Sequence, residues 1–485
     1  MKQELMKIVG HDNVLDDYNL LEACSRDYSF VPQVRPKMVV KPHQDNEVQE
    51  IVRLANDTGT PLVPVSSGPP RFRGDTVPSL GGSIILDLSE MNKIIRIDHR
   101  NKMTVVEPGV TFKQLIPELT KNGLKIPMPL LPRTTKSVIG SLLEREPITI
   151  PRYQWHMPDP LRCLKIVWGN GDQLRTGDAG GHGGLQEQWE MGMAQVCGLG
   201  PLQTDYYRFL LAAQGTMGIA TWASVKCELL PELQKVLFVQ SNKLEDLIGF
   251  AYKVLRFRYG DEIFFMNNSY LAYVFNENQA SVDIMKRDLP DWALSICISG
   301  YGPYPEEKLN VQQHDIEEIA QKFGLEITQA IPGIKESQFL QAVQQTSREP
   351  YWKLDYKGGY QDIFFLTTLD RTHEFINTMY TVAEETGYST ADIGTYLQPL
   401  MQGVACHCEF NLPFNPEDRG ESLKMSELLD QASKRLAQKG AFFSRPYGIW
   451  SDLVFNGDAQ QTIALKKIKG IFDPNNILNP GKLCL

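Results

Sequence analysis

The chain has no apolar run near the roughly 18–20 residues that a bilayer-spanning helix needs. Its first stretch, MKQELMKIVGHDNV, has no signal-peptide apolar core, and both absences point to a cytoplasmic protein without a membrane span. A basic excess is also missing: 58 acidic residues against 49 basic ones leave a formal net charge of −9. Neither nucleic acid nor an anionic membrane surface is therefore an expected partner. The 8 cysteines are scattered, and only Cys406 and Cys408 stand close, in ACHCEF. That is too few for a [4Fe–4S] cluster, which takes four thiolates. Alternate positions of a strand share a face, so the pair reads as buried free thiols. No GxxxxGK[ST] phosphate loop is present, and no GxGxxG turn opens a helix. Internal repeats and low-complexity segments are absent as well.

What is present is an ordinary globular composition, 42% apolar and 22% charged, in 485 residues. That length is too great for one core, so two or three domains are expected. DNEVQEIVRLANDTGT carries Val48, Ile51, Val52 and Ala55 on one helical stripe. Asn46 with Gln49 suits a capping box, and Gly59 suits the helix end. TPLVPV, GSIILDL and KMTVVEPGV read as strands. Thr111 with Gln114 is a second capping box, before a stripe of Phe112, Leu115, Ile116 and Leu119. LRCLKIVWGNGDQLRTG reads as a hairpin whose Asn170-Gly171 suits a type I′ turn. GIATWASVKCELLP is another strand, ending near Pro231. Beyond it, SICISGYG, DIFFLTTL and CEFNLPF read as strands, with EEKLNVQQHDIEEIAQKFG and LKMSELLDQASKRLAQKG as helices. The pattern predicts an α+β architecture in two parts: residues 1–232, residues 233–450, and a segment 451–485 returning to the first.

Between two of the strands lies PVSSGPPRFRGDTVP, residues 64–78. Small residues let a backbone approach a phosphate, serines add hydroxyl donors, and prolines stiffen the path. With its surroundings, this loop resembles that of the flavoproteins with a PCMH-type FAD-binding domain, the vanillyl-alcohol oxidase and glycolate oxidase-like family. The resemblance is collinear: PVSSGPPRFRGDTVPSLGGSIILDLSEMNKIIRI, VEPGVTFKQL, SVIGSLLERE, FLLAAQGTMGIATWASVKCELLP and the tail FDPNNILNPGKL follow in the family's order. It implies the PCMH-type two-domain fold, an α+β cap over an FAD-binding domain, and FAD as cofactor. By the same resemblance, Ser66, Ser67, Gly68, Pro69 and Pro70 hold the pyrophosphate. Ser137, Gly140 and Ser141 lie along the flavin, and Gln214, Gly218 and Ile219 contact it as well. Relatives with loop-attached flavin carry a histidine here. None stands between Pro64 and Pro78, which implies non-covalent FAD.

The departures bear on the substrate. Where the phenol-oxidising branch has Gly-Tyr-Gly-Gly, this chain has Phe72-Arg73-Gly74-Asp75; where that branch has Tyr-Arg, it has Ser444-Arg445, with Tyr447 two residues on. Oxidising an alcohol with a flavin needs a base for the hydroxyl proton and charge complementarity around the substrate. His156 is the expected base by position, with Tyr447 second. Arg445 and Arg73 suit a carboxylate through bidentate contacts. His407 and Glu409 are placed beside the substrate. Two such groups fall short of the three or four ligands of a zinc or manganese site, so no metal is assigned. The expectation is an FAD-dependent dehydrogenase for a hydroxyl-bearing organic anion such as a 2-hydroxy acid, passing electrons to an iron–sulfur acceptor protein. A para-substituted phenol or aromatic alcohol as substrate is the alternative, and an FAD-binding electron-transfer subunit is a third reading. A homo-oligomer is left open.

Overall fold

The computed structural model describes residues 1–153, 160–200, 206–276 and 281–485. Among the described residues the first half holds two larger sheets and one two-stranded sheet, Leu124–Lys125 with Glu228–Leu229. One larger sheet runs Val14–Leu15, Met38–Val40, Ile84–Asp87, Leu62–Val65 in spatial order. Its last three strands are parallel and the first is an antiparallel edge. Helix Asp45–Thr58 crosses between two of these strands and buries the predicted stripe of Val48, Ile51, Val52 and Ala55. The second sheet is antiparallel, in the order Ile94–Asp98, Met103–Val106, Ile219–Lys226, Leu161–Val167, Gln173–Arg175.

Two local expectations fail for identifiable reasons. Helix Asp45–Thr58 begins two residues early, with Gln44 at the N-cap position, so Asn46 lies inside it and makes no cap. Gln49 instead reaches 2.7 Å across to the carbonyl of Gly171. In the hairpin loop only Gly171 has a positive φ, +84°. A type I′ turn needs two such residues. The N–H of Gly171 bonds back to Trp168, giving a wider loop. At Thr111 the cap forms, its Oγ accepting from the Gln114 N–H at 3.3 Å, but the Gln114 side chain turns to the carbonyl of Asn92.

The second half is one seven-stranded antiparallel sheet, in the order Ile327–Thr328, Leu233–Ser241, Trp292–Gly300, Glu262–Asn267, Gly394–Leu400, Ala405–Phe414, Gly359–Thr367. Strict alternation sorts its residues. On Ala405–Phe414, Cys406, Cys408, Phe410 and Leu412 join the core formed with helices such as Leu244–Phe257, Thr372–Thr386 and Arg419–Gln438. His407, Glu409 and Asn411 take the other side. Both cysteines are fully buried free thiols.

The end of the chain lies against the first half. Leu62 and Leu478 form a parallel bridge, with the Leu62 N–H 2.7 Å from the Ile477 carbonyl. Among the described residues no helix is long and apolar enough to cross a membrane.

Candidate active site

The loop after strand Leu62–Val65 is built around Thr135. The Gly68 N–H bonds to the Thr135 carbonyl at 3.0 Å, and the Thr135 hydroxyl donates to the carbonyls of Gly68 and Pro69. Ser67 Oγ accepts from the Ser137 N–H at 3.1 Å, and Ser137 caps helix Val138–Leu143 through the Gly140 N–H. Arg71 folds back, its guanidinium donating twice to the Ser67 carbonyl at 3.2 Å. Among the described residues nothing accepts from the backbone N–H groups of Ser66, Ser67 and Arg71.

This loop lines a cleft between the two halves of the chain. Of the residues singled out in the sequence, Ser66, Ser67, Arg73, Gly140, Gln214, Gly218, Ile219, Glu409 and Arg445 line it. Gly68, Pro69, Pro70, Ser137, Ser141, His407 and Tyr447 do not line it. Gly68 has its N–H on Thr135, and so cannot offer it to a phosphate. Ser137 is a buried cap, and the Ser141 hydroxyl donates to Glu146 at 2.5 Å. His156 lies outside the described residues.

The residues present fit FAD. Ser66, Ser67 and Arg71 line the cleft with N–H groups that lack a partner among the described residues, which suits a pyrophosphate. Small residues keep the channel narrow and open: a Cβ on Gly140 would stand 3.0 Å from Ser66 Oγ, and one on Gly215, whose φ is +71°, 3.0 Å from Pro64. Lys136 is buried on the same side, 2.7 Å from Glu144 and 3.3 Å from Glu146. Burial would raise the Glu146 carboxyl, but Lys136, the Ser141 hydroxyl and Arg445 outweigh it and hold it at about 2. Asp75 behaves oppositely: burial, with Glu144 and Asp27 nearby, pushes it up to about 6.

The cap side carries a chain of charges. Arg73 does not present a free guanidinium to a substrate, as the sequence reading expected. It binds both carboxylate oxygens of Asp362, through Nη1 and, at 3.0 Å, through Nη2. Its Cζ lies 4.4 Å from the ring centroid of Phe364, and that of Arg445 lies 3.9 Å from it. Lys353 Nζ is 3.3 Å from Asp362 and 2.7 Å from Glu409. Glu409 also accepts from Asn411 at 2.9 Å and pairs with His407 Nε2 at 3.0 Å. Burial works to raise the Glu409 carboxyl, but Lys353 and His407 hold it well below the usual range. Burial lowers His407, favouring the neutral ring. Glu409 is therefore a fixed anion and a poor base. Tyr447 is 5% exposed, its hydroxyl has no hydrogen-bond partner among the described residues, and burial keeps its phenol far above the usual value.

Sequence reasoning missed Lys353, Asp362 and the aromatic wall of Tyr270, Tyr351, Trp352, Tyr360 and Tyr396 that lines the cap side. The available signal was the alternation in GYQDIFF, which sets Tyr360 and Asp362 on one face of strand Gly359–Thr367.

Residues 36–177 match the family described as FAD binding domain, and residues 455–483 match FAD linked oxidases, C-terminal domain. The chain is 24% identical to glycolate oxidase subunit GlcD of Bacillus subtilis (strain 168), over 100% of this chain and 96% of that protein. A stretch covering 37% of this chain and 34% of its relative is 30% identical to the flavoprotein subunit of 4-cresol dehydrogenase (hydroxylating) from Pseudomonas putida. Substrate-bound p-cresol methylhydroxylase superposes with a TM-score of 0.82 at 20% identity, covering 100% of this chain and 96% of that one. A 4-ethylphenol oxidase from Gulosibacter chungangensis gives 0.83 at 19%, covering 99% and 96%. At such identities these structures establish a shared fold.

Proposed function

Because this chain belongs to the FAD-linked oxidoreductases with a PCMH-type FAD-binding domain, we propose that it oxidises a hydroxyl-bearing organic anion, a 2-hydroxy acid being the simplest case. One observation carries the charge of the substrate. Six cations line the cleft (Arg71, Arg73, Arg133, Lys136, Lys353, Arg445) against four acids (Asp75, Glu144, Glu146, Glu409), with Asp362 behind Arg73 and Lys353 as a fifth. One of those acids, Asp75, is pushed toward its neutral form. FAD brings two phosphate charges to the Arg71 end, and the cations on the cap side remain for a carboxylate.

The residues then take distinct parts. Ser66, Ser67 and Arg71 hold the pyrophosphate, and Gly140, Gln214 and Gly218 flank the ring. When bound, FAD supplies the hydride acceptor. Lys353 and Arg445 bind and orient the substrate carboxylate. Glu409 and Asp362 fix Lys353, and His407 fixes Glu409. With Arg73 held by Asp362, and Lys353 shared between Asp362 and Glu409, Arg445 is the principal anion-binding group and Lys353 supports it. The hydroxyl proton is assigned to His156 on the sequence reading alone. Electrons pass to a protein partner, a reading supported by the subunit named in the 4-cresol relative.

The aromatic wall favours a second reading, oxidation of an aromatic alcohol or para-substituted phenol. Five aromatic side chains, four of them tyrosines, suit a planar substrate better than a lactate-sized one. One experiment separates the two: anaerobic bleaching of the flavin by a 2-hydroxy acid, its neutral ester and a 4-alkylphenol, with Arg445→Met alongside. Losing a charge-assisted contact of about 2–4 kcal/mol lowers reduction by the acid roughly 30- to 1,000-fold and leaves FAD bound. Equal reduction by acid and ester, or reduction by the phenol alone, rejects the anionic substrate.

A further inference from the structure

Asn479 is 1% exposed and sits where the chain returns to the first half. Its backbone is fixed by its own N–H, which donates to the Leu62 carbonyl at 2.8 Å. Leu62 opens the strand that feeds the Ser66–Pro70 loop. The side chain does something different. Its Nδ2 donates to the carbonyl of Asp75 at 2.8 Å and to that of Gln214 at 2.7 Å. Both partners are carbonyls, so only the NH₂ group can serve them. Asp75 and Gln214 are 139 positions apart in the chain, and each belongs to a different loop lining the cofactor cleft.

The segment carrying Asn479 is itself anchored. Lys469 is buried and donates to the carbonyls of Thr216 at 2.6 Å and Leu478 at 3.1 Å, and to Asp473 at 2.8 Å. Asp473 in turn accepts from the N–H groups of Ile477 and Leu478, both at 2.9 Å. Thr216 lies two residues after Gln214 in the same loop. The carboxamide is thus a short cross-tie with a rigid base, and its two protons set the spacing between the loops.

We infer that Asn479 is a positioning residue for FAD: without touching the cofactor, it holds the two loops at the separation that FAD binding requires. This rests on reading the cleft as the FAD site. The change Asn479→Asp keeps shape and size, but sets a carboxylate oxygen against two carbonyl oxygens. Asn479→Ala removes the tie and leaves both carbonyls to water, and it serves where the aspartate variant does not fold.

The measurement is titration of each apoprotein with FAD, paired with thermal unfolding of the apo and FAD-loaded forms. The expected result is a rise in the FAD Kd of about 10- to 100-fold, from the loss of two buried hydrogen bonds. The gap between apo and loaded midpoints narrows accordingly. A lower apo midpoint with an unchanged Kd would mean that Asn479 only stabilises the fold, and would overturn the inference; so would a variant that matches the unmodified protein in both. Failure of the unmodified apoprotein to bind FAD would reject the cofactor site itself, a separate outcome.

Discussion

The pair Arg73–Asp362 joins residues 289 positions apart, one in the cofactor loop and one in the cap sheet, and its energetics can be worked out before measurement. Asp362 has a side chain 2% exposed and Arg73 one 20% exposed. Removing one partner of a buried ion pair costs about 3–5 kcal/mol, mostly by leaving the other charge unpaired. Two features pull the cost of Asp362→Asn toward the lower end. The arginine is partly hydrated, and its guanidinium keeps the face of Phe364. Lys353 is less affected, because Glu409 remains 2.7 Å away. The double variant Arg73→Met with Asp362→Leu replaces both charges by apolar groups and is expected to cost about 1 kcal/mol or less. In the cycle closed by the single variants Arg73→Met and Asp362→Leu, two costs of about 3 kcal/mol against about 1 for the double give a coupling energy of about 5 kcal/mol. At roughly 2–4 °C per kcal/mol for units of this size, Asp362→Asn lowers the unfolding midpoint by about 6–12 °C, and the double variant recovers most of that. Calorimetric scans of these proteins at one scan rate give the answer. A drop under 1 °C for Asp362→Asn, or a double variant no better than the sum of its parts, would refute the claim that this pair locks the loop to the cap.

Gly140→Val pushes a branched side chain toward Ser66 Oγ, 3.0 Å from the ideal Cβ, and lowers FAD retention at least tenfold by absorbance after gel filtration; full occupancy contradicts the channel. Gly68→Val acts more weakly, its branched side chain meeting Thr135, whose Cβ is 3.1 Å from the ideal Cβ; an FAD loss as large as that of Gly140→Val would contradict this order. Acid precipitation releases FAD to the supernatant, and flavin remaining in the pellet would reveal a covalent bond. For Asp75 the folded protein holds its proton to about pH 6, above the ordinary 3.8. The folded state then binds more protons than the unfolded one in that window, and stability falls as pH rises through it. Asp75→Asn flattens the slope of midpoint against pH between about 4 and 6, and unchanged slopes would exclude the raised carboxyl.

Much of the first half was legible because its signals are local. The stripe Val48-Ile51-Val52-Ala55 and the small-residue run from Ser66 each lie within a few residues, and both are found where the periodicity puts them. Asn46 and Asn170 misled because caps and turns depend on a single dihedral or a start displaced by two residues, which propensity does not resolve. Lys353 and Asp362 were not legible at all. Each is an ordinary charged residue in its own window; strand pairing sets Asp362 opposite Asn411, while Lys353 arrives from the turn Trp352–Leu354 and Arg73 from a loop of the other half. The arginine at 73 was recognised as a departure, but its partner was out of sequence range, so its charge was assigned to a substrate rather than to Asp362.

The alternation on strand Ala405–Phe414 also restricts how this pocket can diverge. A one-residue insertion or deletion there would send two thiols into the cleft and drive a histidine and a carboxylate among greasy helices. Both halves of that exchange are penalised, so such lengths should be purged in any lineage. Changes of two residues, or replacements at 407, 409 and 411 alone, leave the far face untouched. New substrate preferences are thus reachable by point mutation without crossing an unfolded ancestor, directly at Glu409, which lines the cleft, and through it at 407 and 411, which bond to it.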